Sequence, residues 1–259
     1  MLWHKAWLET RWRFLIGFAV LMCSAIAVVF AYPEVASHLG SLDAATADVG
    51  GRLGAELREG LAATREYHGY VWWQWFRQNL RDMWTLFAVL LGAGGLLSQT
   101  SGGGALYTLS LPVSRSWLLQ VRAATGLLEL AVLALVPSLA ISLVSPAIGQ
   151  HYSVVDGLIH AVCMVLGGAI FFSLAFMLST VFADVWRPAL IAIAVFYGIS
   201  FVELMSSPNP SSRVGPISVM TADSYFRSGV VPWFGLALAL LASCAMLYAA
   251  VRNIERRDF

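Results

Sequence analysis

Most charged side chains in this sequence crowd the ends of apolar runs, and a few are stranded inside them. Glu129 is the clearest of the stranded ones. It follows Arg122 by seven residues on the same helical face, a backbone separation of roughly 10 Å that is too long for simple contact. A carboxylate at hydrocarbon depth faces a partner helix or a wet cavity. As a functional group it would contact a proton, a cation or a substrate, or couple a motion. As a structural group it would pair with Arg11 or Arg13, or with a hydroxyl such as Thr125. Glu203, near the outer end of a later apolar run, reads as a boundary residue within reach of headgroup water. The triplet Gly198–Ser200 ("GIS") has the start of a serine nucleophile turn, but Phe201 follows it where glycine is needed, and the last apolar run carries no histidine to serve as base. His151 and His160 have no titratable neighbour at metal-ligand spacing. Neither a catalytic residue nor a metal site is expected.

Lys5 is the only lysine in the chain. A phosphate-binding P-loop needs a lysine directly after its glycine-rich turn, and the glycine-rich stretch Gly92–Gly104 ("GAGGLLSQTSGGG") has none. The polypeptide is therefore not itself a P-loop ATPase. Cys23, Cys163 and Cys244 each sit within an apolar run, where free cysteine behaves as a small hydrophobe.

The elements that must position these residues follow from composition. Of 259 residues, 59% are hydrophobic and 12% charged, and mean hydropathy is +0.73. A soluble domain carries about 25% charged residues, so the chain is expected to be an all-α integral membrane protein. A net charge of +1 gives no basic surface for nucleic acid. A spanning helix needs roughly 20 apolar residues, and candidates are Phe14–Tyr32, Met83–Gly102, Ala123–Val144, Leu158–Phe182, Pro188–Met205 and Pro232–Val251. Six spans put both termini on one side. With the N-terminus inside, nine of the lysines and arginines are internal and seven external, and five of the seven share one long loop interleaved with acids. Short inner loops rich in arginine favour cytoplasmic termini in a cell (inner) membrane.

Residues 1–13 place Trp3 and Trp7 on one face and Lys5, Glu9 and Arg13 on another, the pattern of an amphipathic helix lying on the inner surface. Residues 33–82 form a large extracytoplasmic loop that reads as helical. Its tryptophans, Trp72, Trp73, Trp75 and Trp84, form either an interfacial belt or a lid over a pathway. Residues 206–231 form a second outer loop, irregular at first, with room for a short re-entrant turn before Pro232.

The segment 98–122 is cytoplasmic on this topology. Gly102–Gly104 lets the chain leave the second span, Pro112 ends a short surface helix, and Ser114 is placed to cap the next one. The run Tyr107–Glu129 ("YTLSLPVSRSWLLQVRAATGLLE") resembles the corresponding segment of ABC-2 type transporter permease subunits, in which a leucine–proline–x–serine–arginine run follows the second span, and an arginine and then a glutamate follow in the third. The resemblance implies a single permease domain spanning 1–259 and serving an ATP-driven exporter. It would work as a dimer of identical or related permeases, with ATP and Mg held by a separate ATPase subunit and no cofactor on this chain. It also implies that Leu109, Ser110, Leu111, Pro112, Val113, Ser114 and Arg115 form a coupling helix docked on that ATPase. A scaffold that binds the same ATPase without moving a solute is the alternative.

Overall fold

In a hydrocarbon surrounding every backbone N–H and C=O must be satisfied within the protein, and a continuous apolar run does this by closing its own helical bonds. The computed structural model describes residues 2–46, 49–94, 115–182, 184–206 and 215–256, and every regular element among them is helical. Helix α1 is Leu2–Thr46 and α2 is Gly51–Thr64. Helix α3, Tyr67–Val71, runs through a π-helical stretch, Trp72–Leu80, into α4, Arg81–Ala93. Helix α5 is Arg115–Val144, closed by a 3₁₀ turn at Ser145–Ile148. Helices α6 (Val154–Ser179), α7 (Trp186–Ser206), α8 (Pro216–Met220), α9 (Asp223–Ser228) and α10 (Trp233–Glu255) complete the order. Among the described residues five helices are long and apolar enough to cross a membrane, lying within α1, α5 with its closing turn, α6, α7 and α10. This is a multi-pass helical membrane protein.

Two expectations are corrected by α1. Residues 1–13 do not make a separate surface helix, because the chain is one helix from Leu2 to Thr46. Trp3, Lys5, Trp7, Glu9 and Arg13 are simply its first turns. No glycine or proline occurs before Gly17 to break it. The first apolar helix also does not stop at Tyr32, the end expected for that span. Pro33 lies inside α1, and Tyr32 is packed beside it against Tyr67 and Tyr70 at ring distances of 4.8 and 5.0 Å. At 1.5 Å per residue α1 is about 68 Å long, far more than a bilayer core. One end or both must project beyond it.

The tryptophan-rich segment is not a lipid-facing belt. Trp72, Trp75, Phe76, Leu80 and Trp84 are fully buried within the protein. Their ring nitrogens find partners inside: Trp72 donates to the Thr221 carbonyl (3.3 Å), Trp75 to Ser138 Oγ (3.2 Å) and Trp84 to the Leu130 carbonyl (2.9 Å). Burying a tryptophan requires such an acceptor, and four other segments supply the walls. The helical run 67–93 is thus a central post.

Neighbouring contacts give the helix directions. Along that post and α6, Phe76 meets His160, Trp84 meets Gly168, and Gly92 meets Phe172 and Ala175, so the two run parallel. Against α5 the order reverses, Trp84 bonding at Leu130 and Trp75 at Ser138. Helix α1 runs parallel to α5: Thr10 pairs with Glu129, and Tyr32 sits beside Tyr67, which is bonded to Ser145. Asn253 on α10 reaches Thr180 at the end of α6. The start of α1 and the end of α10 therefore lie at one end of the bundle. Close packing depends on small residues. A Cβ at Gly92 would lie 2.7 Å from the Phe172 carbonyl oxygen, and one at Gly168 would overlap the Trp84 ring.

Candidate functional site

Polar side chains gather at both ends of the bundle. At the end holding the N-terminus, Thr10 of α1 donates a 2.5 Å hydrogen bond to Glu129 Oε1 of α5. Glu129 is 5% exposed. Two turns away on α5, Arg122 pairs with Glu9 at 3.3 Å. Arg13 donates to the Leu90 carbonyl at 2.8 Å, satisfying one of the last acceptors of α4. The two guanidiniums converge on the backbone of Gly94, where a Cβ would stand 2.7 Å from Arg13 Nη1 and 2.9 Å from Arg122 Nη2. A side chain at 94 would have to displace these two guanidinium ends. Two positive groups over the C-terminal end of a helix also match its partial negative charge.

This arrangement answers the sequence question about Glu129. Its partner comes from the amphipathic first turns of α1, as the structural reading requires, but the partner is Thr10 rather than Arg11 or Arg13. Thr125, the other hydroxyl considered, bonds instead to the Val121 carbonyl of its own helix (2.8 Å). Glu129 also lies level with Thr10, four residues ahead of the uncharged run that begins at Phe14. It belongs to a polar tier at the bundle end rather than to the middle of the hydrocarbon.

At the opposite end, α2 and α9 clasp the π-helical stretch. Arg77 is buried, with Glu56 at 2.8 Å, Glu59 at 3.7 Å and Asp223 at 3.8 Å. Arg227 bonds Asp223 at 3.0 Å and also Glu59. Arg77 lies 5.3 and 4.2 Å from the Trp72 and Trp73 rings, and Trp72 stacks on Phe226 at 4.0 Å. Burial works against the Arg227 charge, but its bonds to Asp223 and Glu59 outweigh that and hold its pKa above the usual value. Beside this cluster, Asp156 accepts from the Tyr225 hydroxyl at 2.7 Å and faces His68 at 3.5 Å.

Glu203 is more than a boundary residue. Its carboxylate accepts from the backbone N–H groups of Ile217 (2.8 Å) and Ser218 (3.3 Å). It caps α8 from a different helix, and its side chain fills the space where a residue other than glycine at 215 would place its Cβ. Within residues 206–231, Pro216–Met220 and Asp223–Ser228 are the short helices α8 and α9. Ser200 donates to the Phe196 carbonyl of its own helix at 2.9 Å, the usual fate of a serine in a helix rather than an activated nucleophile.

Of the coupling residues, Leu109, Ser110, Leu111, Pro112, Val113 and Ser114 lie outside the described residues, and Arg115 is the first residue of α5. Trp3 is half exposed, and Trp7 and Lys5 are partly buried. Sequence reasoning missed Thr10, Arg77 and Asp223. The Glu56/Glu59 and Asp223/Arg227 spacings put like-facing charges on α2 and α9, but nothing in them named Arg77 as the shared partner. Among the described residues no group of three histidine, cysteine or carboxylate side chains is gathered as a metal site. Comparison with known proteins returns no matching family model, and no curated protein is significantly similar.

Proposed function

We propose that this chain is the permease subunit of an ATP-driven exporter of the ABC-2 type, its ATPase a separate polypeptide. The observation that carries the reading is the run Tyr107–Glu129, with its proline break, its arginines and its glutamate in the same order as in those permeases. The multi-pass helical architecture is compatible with it. On this reading Met83–Gly102 is the second of six spans. Both termini are cytoplasmic in the cell membrane, and Leu109–Arg115 touches the ATPase. The polar tier of Glu9, Arg13, Arg122 and Glu129 lies at the bundle end from which α5 begins at Arg115. It ties the end of α4 and the start of α5 to α1, so that a push on the segment moves three helices as one body.

The test is co-purification with an ATPase subunit and measurement of ATP hydrolysis in vesicles. Replacing Leu109–Arg115 by a glycine–serine linker should leave the permease in the membrane and abolish the stimulation it gives the ATPase. Unchanged stimulation would overturn the reading. Solute movement in the same vesicles separates an exporter from a scaffold.

A further inference from the structure

Between the first turns of α1 and the face of α5 lies an open groove of about 470 Å³. Its walls are Trp7, Phe14 and Leu128, its floor is Glu129, and Trp3 and His4 stand at its rim. Of its apolar lining, Trp3 on α1 is 51% exposed and Leu128 on α5 is 64% exposed. In a membrane protein such a face meets lipid chains. The floor is the unusual part. Glu129 Oε1 is held by Thr10, whereas Oε2, equally buried, accepts no hydrogen bond from any described residue. Arg122, the nearest cation along α5, is engaged with Glu9. A buried carboxylate oxygen without a donor costs about 1–3 kcal/mol or more, and a donor entering through the groove would remove that cost.

We propose that this groove is a binding site for a membrane lipid with a primary ammonium headgroup, of the phosphatidylethanolamine type, with Glu129 Oε2 as the headgroup acceptor. The depth fits, because Glu129 lies level with Thr10 in the polar tier while the groove walls continue toward the apolar run from Phe14. The tryptophans at the rim suit the headgroup level, and the His4 ring supplies an N–H for the phosphate. A primary ammonium brings three N–H donors, whereas a choline headgroup brings the same charge and none. The site rests on the membrane-spanning character of the helices and not on the export reading.

Native mass spectrometry of the purified full-length chain, titrated with lipids of identical chains and stepwise N-methylated headgroups, tests the proposal. The unmethylated lipid should bind roughly tenfold or more tightly than the choline lipid, the range for a hydrogen bond to a charged group. Glu129→Gln should remove the preference. Leu128→Trp, at an exposed position that leaves Glu129 in place, should weaken all the lipids together. Equal binding of ethanolamine and choline lipids by the wild type would overturn the proposal, as would a preference that survives Glu129→Gln. So would a Leu128→Trp variant that keeps its lipid but changes its oligomeric state, since the groove would then hold a second copy of the chain.

Discussion

Arg77 and Glu129 are both buried charges, and their surroundings treat them differently. Arg77 has three carboxylates and two indole rings around one guanidinium, so its removal takes the 2.8 Å partner from Glu56 and leaves Glu59 and Asp223 to Arg227. Breaking a buried ion pair from one side costs about 3–5 kcal/mol. Arg77→Met should therefore lower the melting midpoint in detergent sharply, and Glu56→Gln, whose carboxylate is more exposed, should lower it less. Glu129 has one hydroxyl. Glu129→Gln keeps an acceptor for Thr10 and should melt close to the wild type, whereas Glu129→Leu removes the interhelical acceptor, leaves Thr10 to the Ala6 carbonyl of its own helix at 3.2 Å, and should cost about 0.5–1.5 kcal/mol. The melting midpoints of the two variants check the difference. Neither Arg77's role nor Thr10's was legible in the sequence. The partners of Arg77 lie 21 and 18 residues back and 146 ahead, and Thr10 stands 119 residues before Glu129. Spacing rules see only neighbours on one helix.

Among elements, the post of residues 67–93 matters most. Its aromatic face was visible as a composition feature, but whether it faced lipid or protein was not, since lipid and a protein core are equally apolar. The indole nitrogens decide it in the structure, each with an acceptor on another segment. Trp84→Ala should destabilise by about 3–5 kcal/mol, the usual cost of emptying a large aromatic site. Gly168→Ala should also destabilise, because the new methyl overlaps that ring. The double variant Gly168→Ala with Trp84→Leu should lose less than the two single losses added, since removing the indole makes room for the methyl. Unfolding followed by intrinsic fluorescence and circular dichroism would show whether the two sites couple. Helix α1 carries the same lesson in reverse. Amphipathic turns and an apolar run looked like two elements, yet backbone bonding continues wherever nothing interrupts it.

For the whole molecule, the alternating helix directions and the paired polar tiers suggest a body stiffened at both ends. One tier ties α1, α4 and α5 together; the other ties α2, the π-helical stretch and α9. If the coupling reading is correct, Arg122→Ala should separate α1 from α5 at the end next to the ATPase. ATP hydrolysis by the partner would then continue with its stimulation by the permease reduced severalfold, while the amount of complex recovered on co-purification stays the same. A loss of the complex itself would instead assign Arg122 to the docking surface.

Class and architecture were legible residue by residue. Hydrophobic length, scarcity of charge and a single lysine are properties of short windows or of the whole count, and no folding is needed to read them. The proposed kinship of Tyr107–Glu129 with exporter permeases is a reading of the same kind, carried by order along the chain. The identity of each buried polar pair was settled only by tertiary structure, because low dielectric makes any buried charge seek a partner without saying which. Helix packing brought Thr10 to Glu129, three acids to Arg77 and the backbone of α8 to Glu203. It also left one buried oxygen of Glu129 without a donor among the described residues, beside an open groove.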